Sequence, residues 1–182
     1  VKFKFEMFKP AIVLTVITVI ISAVLIITAN FMPDTSGVIT DKLRNKCVEL
    51  MGEGEFELVL DKPDLVDKMI VKDDGSVAFE ITVRGYKPDG LTLLVAMNGD
   101  GSVRGVAVIA VRDDPGIGTK VEDPGFLSRF VNADSPVSIV RGTPKDDNEI
   151  EGITGATYSA KGVADAVNIA MEVYSQLGGV SD

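Results

Sequence analysis

Residues 77–111 read VAFEITVRGYKPDGLTLLVAMNGDGSVRGVAVIAV, and this stretch decides the fold. Val77 to Arg84 alternates between apolar and polar residues with the period of two expected of a strand. Lys87-Pro88-Asp89-Gly90 is a turn, and Leu91 to Met97 follows it as a second strand. Asn98-Gly99-Asp100-Gly101 is a strong hairpin signal, because Asn-Gly and Asp-Gly accept the positive φ of a tight turn. Val103 to Val111 is the returning strand. Strands joined by such short turns pair antiparallel, since a parallel pair needs a long crossover. Gly99, Gly101 and Gly105 are not a dinucleotide fingerprint, because no helix follows them and the spacing is wrong. Asn98, Asp100 and Ser102 imitate the start of a calcium loop. Its twelfth position falls on Ile109, where a bidentate Glu is required.

Working outward, Phe56 to Leu60 is a short strand candidate. Val38 to Met51 reads as a helix, with Val38, Ile39, Leu43, Cys47, Leu50 and Met51 at helical spacing before Gly52 and Gly54. Cys47 lies on that apolar stripe and is expected to be a core thiol. Downstream, Phe126 to Val131 is a short helix and Val137 to Val140 a short strand. The last 24 residues form a helix with Val163, Val167, Ala170, Tyr174 and Leu177 on one stripe and Lys161, Asp165, Asn168 and Glu172 off it. The expected class is α+β: a largely antiparallel sheet with flanking helices.

A different solvent governs the N-terminal stretch. Ala11 to Met32 is 22 residues without a charge. As a helix it would be roughly 33 Å long, enough to cross a hydrocarbon core of about 30 Å. A signal peptide has a shorter apolar run and a small-x-small cleavage site, and Thr28-Ala29-Asn30 is a poor one. Residues 1–32 are therefore expected to be a cytoplasmic N-terminus and a single transmembrane helix in the cell (inner) membrane. Residues 33–182 are then an extracytoplasmic domain. Orientation follows from Lys2, Lys4 and Lys9 against Glu6, since positive flanks stay in the cytoplasm. Pro33 to Gly37 breaks the chain after the helix.

Composition narrows the function. The 182 residues hold 18 Lys and Arg, 27 Asp and Glu, no His and one Cys, for a net charge of −9. The outer part carries 15 basic and 26 acidic residues. That balance argues against nucleic acid, which needs clustered cations. Without His there is no His-activated Ser or Cys and no imidazole metal site, and one Cys cannot hold an iron–sulfur cluster. No metal site and no catalytic acid–base residue is expected. Electron chemistry would need an organic cofactor.

Two short motifs could hold a phosphorylated ligand. Thr154-Gly155-Ala156-Thr157-Tyr158-Ser159 stands directly before the terminal helix. Thr157 or Ser159 could cap that helix, or its first N–H groups and dipole could bind a phosphate. Asp114-Pro115-Gly116-Ile117-Gly118-Thr119 follows the strand ending near Val111. Its two glycines are those of a plain loop, or let backbone approach a flat or anionic ligand.

Taken together, the motifs resemble those of a family of FMN-binding proteins that serve membrane redox pumps, namely the Rnf complex (its G component) and the sodium-translocating NADH:quinone reductase (its C component). The resemblance covers the order of parts along essentially the whole chain. It rests on Pro-Gly-Ile-Gly at 115–118 and Thr-Gly-Ala-Thr at 154–157. It implies covalent FMN, joined by a phosphoester to Thr157 through a separate flavin transferase. Thr154, Gly155, Ala156 and Ser159 would surround the phosphate, and Gly116, Ile117, Gly118 and Thr119 would lie against the ring. The sequence departs from the family pattern in two places. Glu151 stands where an Asp is usual, and Asp113-Asp114 replaces Glu-Thr before Pro115.

The resemblance further implies an electron-transfer subunit of an ion-translocating ferredoxin:NAD oxidoreductase, partnered by other Rnf subunits and without complete activity alone. Of the two complexes Rnf is the expected one, the outer domain being compact and short for the other. Lys120, Arg112 and Lys161 are the cations nearest these motifs in sequence. A membrane-anchored scaffold without flavin is the competing class. A hydrolase with a Thr or Ser nucleophile would lack a His base.

Overall fold

The computed structural model describes residues 9–30, 38–114 and 116–178. The chain divides into two compact units, Val1–Thr35 and Ser36–Asp182.

In the first unit, helix α1 spans Lys9–Asn30. Its described side chains, 12–27, present exposed Ile, Val and Leu on every side, from Ile12 and Leu14 to Ile26 and Ile27. A helix apolar all round is either a core helix or a membrane span. The Thr18 hydroxyl donates to the Leu14 carbonyl at 2.8 Å, so it needs no outside partner. The stretch 12–27 covers about 24 Å at the helical rise. No helix among the described residues is long and apolar enough to cross a membrane. The flanking Lys2 and Lys4 and the break at Pro33 to Gly37 lie outside the described residues.

The second unit is α+β, as expected. Five strands form an antiparallel meander in the order β1-β2-β3-β4-β5. They are β1 Phe56–Val59, β2 Lys68–Lys72, β3 Val77–Val83, β4 Leu91–Met97 and β5 Val103–Val111. The last two have the bounds read from sequence. β2 was not anticipated. It pairs Lys68 with Glu80 of β3 in register, and the side chains form a buried ion pair at 3.1 Å.

β4 is buried along its whole length because both faces of the sheet are covered. On one face Phe79, Ile81, Leu91, Leu93, Val95 and Met97 pack with Val163, Val167, Ala170 and Val173 of helix α4, Thr157–Gln176. On the other, Ala78, Leu94, Ala96 and Ala107 pack with Leu43, Cys47 and Met51 of helix α2, Asp41–Met51. Each large side chain so buried contributes about 1.5–3 kcal/mol. α2 starts later than the apolar spacing suggested because Thr40 caps it, accepting from the Leu43 N–H at 3.3 Å. Cys47 is a core thiol. Burial, then the charge of Glu80, pushes it up to about 11 against the opposing pull of Arg44.

Between sheet and α4 lie a 3-10 turn at Gly118–Glu122, the short helix α3 at Pro124–Leu127 and a second 3-10 turn at Ser128–Phe130. Then come β6, Ser138–Val140, and β7, Glu149–Glu151, which pair parallel. Asn168 of α4 ties this ribbon down: it accepts from the Val137 N–H at 2.8 Å and donates to the Val137 carbonyl at 3.0 Å.

Candidate functional site

β7 runs directly into Gly152-Ile153-Thr154-Gly155-Ala156, and α4 begins at Thr157. Gly155 has φ +78°, a backbone state that L side chains resist, and the Ala156 N–H closes the turn onto the Ile153 carbonyl at 2.9 Å. The helix therefore starts inside the motif, with Thr157 and Ser159 in its first turn. Ala156 holds the N-cap position and makes no side-chain hydrogen bond. No hydroxyl caps α4, and its leading N–H groups and positive dipole end are left to an outside acceptor.

The three hydroxyls differ in situation. Ser159 is fully buried and donates to Oδ2 of Asp113 at 2.7 Å. Thr154 is exposed, and its carbonyl accepts from Lys120 Nζ at 3.0 Å. Thr157 is half-buried and lines two adjoining clefts.

Asp113 organises the surroundings. Its carboxylate also accepts from the Tyr86 N–H at 3.0 Å and the Lys87 N–H at 2.8 Å. Gly85, Gly90 and Gly118 leave it room: a Cβ on any of them would come within 2.2 Å of its atoms. Burial alone would raise its pKa. The Lys87 N–H, the Ser159 hydroxyl, the Tyr86 N–H and the Lys87 charge outweigh that and hold the carboxyl below its ordinary value. One buried anion thus joins the 85–90 turn, the loop after β5 and the first turn of α4. Above it Lys87 pairs with Asp114 at 2.8 Å on the surface.

In the glycine loop, Pro115 lies outside the described residues. Gly116 donates its N–H to Thr119 Oγ1 at 3.1 Å, and the Ile117 and Gly118 N–H groups both reach the Asp114 carbonyl at 3.1 Å. Gly118 is buried against Asp113, whereas Ile117 projects, 40% exposed, into a cleft. That cleft holds about 350 Å³ between Ile117, Tyr86, Tyr158 and the backbone of Gly155 to Thr157. Tyr86 and Tyr158 meet edge to face, with centroids 6.4 Å apart. The second cleft, of about 370 Å³, lies between Val140–Gly142 and Glu151–Gly155. Both volumes suit small-molecule sites. Larger hollows of about 910 and 470 Å³ occur by the 99–101 turn and between α2 and α3. Neither is lined by a motif residue, so size does not choose the site.

The nearby cations sort differently from their sequence positions. Arg112 is turned to Thr92 Oγ1 at 3.0 Å and the Asp89 carbonyl at 3.4 Å. Lys120 braces the Thr154 carbonyl, and Lys161 lines the aromatic cleft. Arg141, which the sequence reading passed over, lines both clefts. Among the described residues, no group of three or more His, Cys, Asp or Glu could hold a metal ion.

An uncapped helix start beside an aromatic and aliphatic cleft fits a ligand with an anionic end and a flat apolar body, as FMN is. Comparison with known proteins agrees. Residues 85–172 match the FMN-binding domain family. The G component of the Na(+)-translocating ferredoxin:NAD(+) oxidoreductase complex of Acetobacterium woodii is 32% identical over 131 residues, 66% of this chain and 61% of that protein. The G component of the ion-translocating oxidoreductase complex of Vibrio cholerae is 33% identical over 107 residues, 53% of this chain and 50% of that protein. The chain thus spans about half to three-fifths of the length of these relatives. Among solved structures, Shewanella oneidensis NqrC matches with TM-score 0.48 and 23% identity over 65% of both chains. The C component of the Na(+)-translocating NADH-quinone reductase from Parabacteroides distasonis matches with TM-score 0.48 and 19% identity, over 84% of this chain and 87% of that one. Asp113, Ile117, Thr157 and Ser159 all lie within the segment that matches the FMN-binding domain family.

Proposed function

We propose that this chain is the electron-transfer subunit of an ion-translocating ferredoxin:NAD oxidoreductase of the Rnf type, and that FMN is joined through its phosphate to Thr157 Oγ1. One observation carries the attachment. Thr157 opens an uncapped helix at the meeting of two clefts, inside a segment matched to the FMN-binding family. Bound FMN supplies the one- and two-electron redox chemistry. The chain supplies position. The N–H groups at the start of α4 meet the phosphate, and Gly155 lets the backbone come close. Tyr86, Ile117 and Tyr158 shield the ring from water. No acid–base residue is needed for electron transfer.

Forming the ester needs an activated flavin phosphate, presented by a flavin transferase. An anhydride bond of the donor breaks as the Oγ1–phosphorus bond forms. The Thr157 proton passes to the transferase, and the other phosphate of the anhydride leaves. Helix α1 is read as the membrane anchor, with the FMN-binding domain outside and other Rnf subunits as its neighbours.

The test is a denaturing gel of the full chain, matured with its transferase, viewed under ultraviolet light and followed by peptide mass analysis. A fluorescent band and a flavin phosphate adduct on the Thr157 peptide are expected, both lost in T157A. A T157A chain that keeps the adduct overturns the attachment site. A matured wild-type chain without adduct favours the flavin-free scaffold.

A further inference from the structure

Parallel pairing of β6 with β7 places Val140 opposite Glu151, so both strands leave the ribbon at the same end. The next residues out are Arg141 on one strand and Gly152 to Gly155 on the other. The Gly152 N–H bonds the Val140 carbonyl at 2.9 Å, which keeps the two exits together. A bare Cα at Gly152 permits this, since a Cβ there would lie 2.7 Å from Ile139 Cγ2. The topology therefore delivers a guanidinium beside the Thr-Gly-Ala-Thr turn from a residue 16 positions before Thr157.

Arg141 lines the cleft on each side of Thr157, and among the described residues it makes no hydrogen bond and no ion pair. Its situation contrasts with that of the other cations nearby. Lys87, Arg112, Lys120 and Arg129 are each bound to a partner of the chain itself, and Lys161 lines the aromatic cleft alone, whereas Arg141 lines both clefts. Arg141 is exposed, and Glu151 also lines the second cleft without pairing with it. In a chain of net charge −9, an unpaired cation facing both clefts is placed for an anionic ligand.

Resting on the FMN reading above, we propose that Arg141 is the residue that recognises the terminal phosphate of the flavin nucleotide, so that the site prefers a phosphorylated flavin to the bare one. The guanidinium presents paired N–H donors that match two phosphate oxygens, and it stays charged at every working pH. It acts before and after esterification, drawing the phosphate to Thr157 and then offsetting the remaining charge.

The test uses the full chain in detergent, produced without a flavin transferase and titrated with FMN and with riboflavin by fluorescence quenching. R141Q is expected to weaken FMN binding about 10- to 100-fold, the worth of a charge-assisted hydrogen bond, and to leave riboflavin binding unchanged. R141K keeps a point charge without the fork and should fall between. K145Q removes a cation from the β6–β7 connection that lines neither cleft, and should behave as wild type. Equal losses for both flavins, or none for either, overturn the role of Arg141 while leaving the flavin site standing. A wild-type chain that binds neither flavin, and takes no adduct when matured, overturns the FMN reading and this inference with it.

Discussion

The Ser159 hydroxyl donates to Oδ2 of Asp113 over 2.7 Å, joining residues 46 positions apart. The bond is buried, and the same carboxylate accepts from two backbone N–H groups of the 85–90 turn. Three segments that carry Tyr86, Ile117 and Thr157 are thereby registered on one anion. The geometry of the candidate site is an outcome of packing around Asp113.

Asp113→Asn keeps the shape and removes the charge. Its amide NH₂ would face a donor that the carboxylate now accepts from. A loss of about 2–3 kcal/mol in unfolding free energy is expected, since hydrogen bonds to a charged group are worth about 1.5–3 kcal/mol and a mispaired buried donor adds its own cost. Ser159→Ala removes one donor only and should cost about 1 kcal/mol. Urea titration of both variants reads this directly. Equal, negligible losses would deny Asp113 its organising role.

The same anion sets a pH dependence. Burial raises the Asp113 pKa, but its hydrogen bonds outweigh burial, so the value is lower in the folded chain than in the unfolded one. Its contribution is therefore complete above the unfolded value of about 3.9 and disappears as pH falls through the folded value. Wild-type stability should decline on acidification below about pH 4 more steeply than that of D113N. Parallel acid profiles for the two chains would contradict the assignment.

Gly118→Ala tests the cradle from its other side. The new Cβ would lie 2.2 Å from Asp113 Cβ and 3.0 Å from Val111 Cγ1. Neither neighbour is the free end of a flexible side chain, so the loop must shift. A loss of about 1–3 kcal/mol is expected, together with a lower flavin adduct yield after maturation. Gly99→Ala meets nothing within 4 Å and has no positive φ, so it should leave stability within about 0.5 kcal/mol of wild type. Thermal melts of the pair separate steric crowding from a general intolerance of substitution.

Much of this fold was legible in the sequence, for physical reasons that differ by element. β4 and β5 were read to their ends because an Asn-Gly-Asp-Gly turn punctuates long apolar runs. β2 was missed: Lys68-Met69-Ile70-Val71-Lys72 is short and bracketed by charge, and its Lys68 is satisfied only by Glu80 on the next strand. β7 offers a single apolar residue, Ile150, between two glutamates, and no local pattern reveals a parallel partner. For the same reason Arg141 was invisible as a site residue, since its neighbours are supplied by that ladder. At the candidate site, residue types singled out Thr157 but misjudged the helix boundary. The helix begins within the motif, and Ala156 leaves its end uncapped. Asp113 was noted as an acid in a familiar place. Its three bonds could be seen only once distant segments were brought together.

Cys47 supplies a prediction that depends on the core and not on the flavin. The thiol is buried under α2, and burial with the charge of Glu80 pushes it up to about 11. At pH 8 about one thiol in a thousand would be ionised, against about one in ten at the ordinary value of 9.0, and the thiolate is the form that reacts. Alkylation by iodoacetamide should therefore be at least about a hundredfold slower in the folded chain than in denaturant, with burial slowing it further. The rate should rise steeply between pH 8 and 11 for as long as the domain stays folded. Rapid labelling at pH 8 without denaturant would mean that α2 leaves the sheet readily. The packing of Leu43, Cys47 and Met51 on Ala78 and Leu94 would then contribute far less than its burial implies.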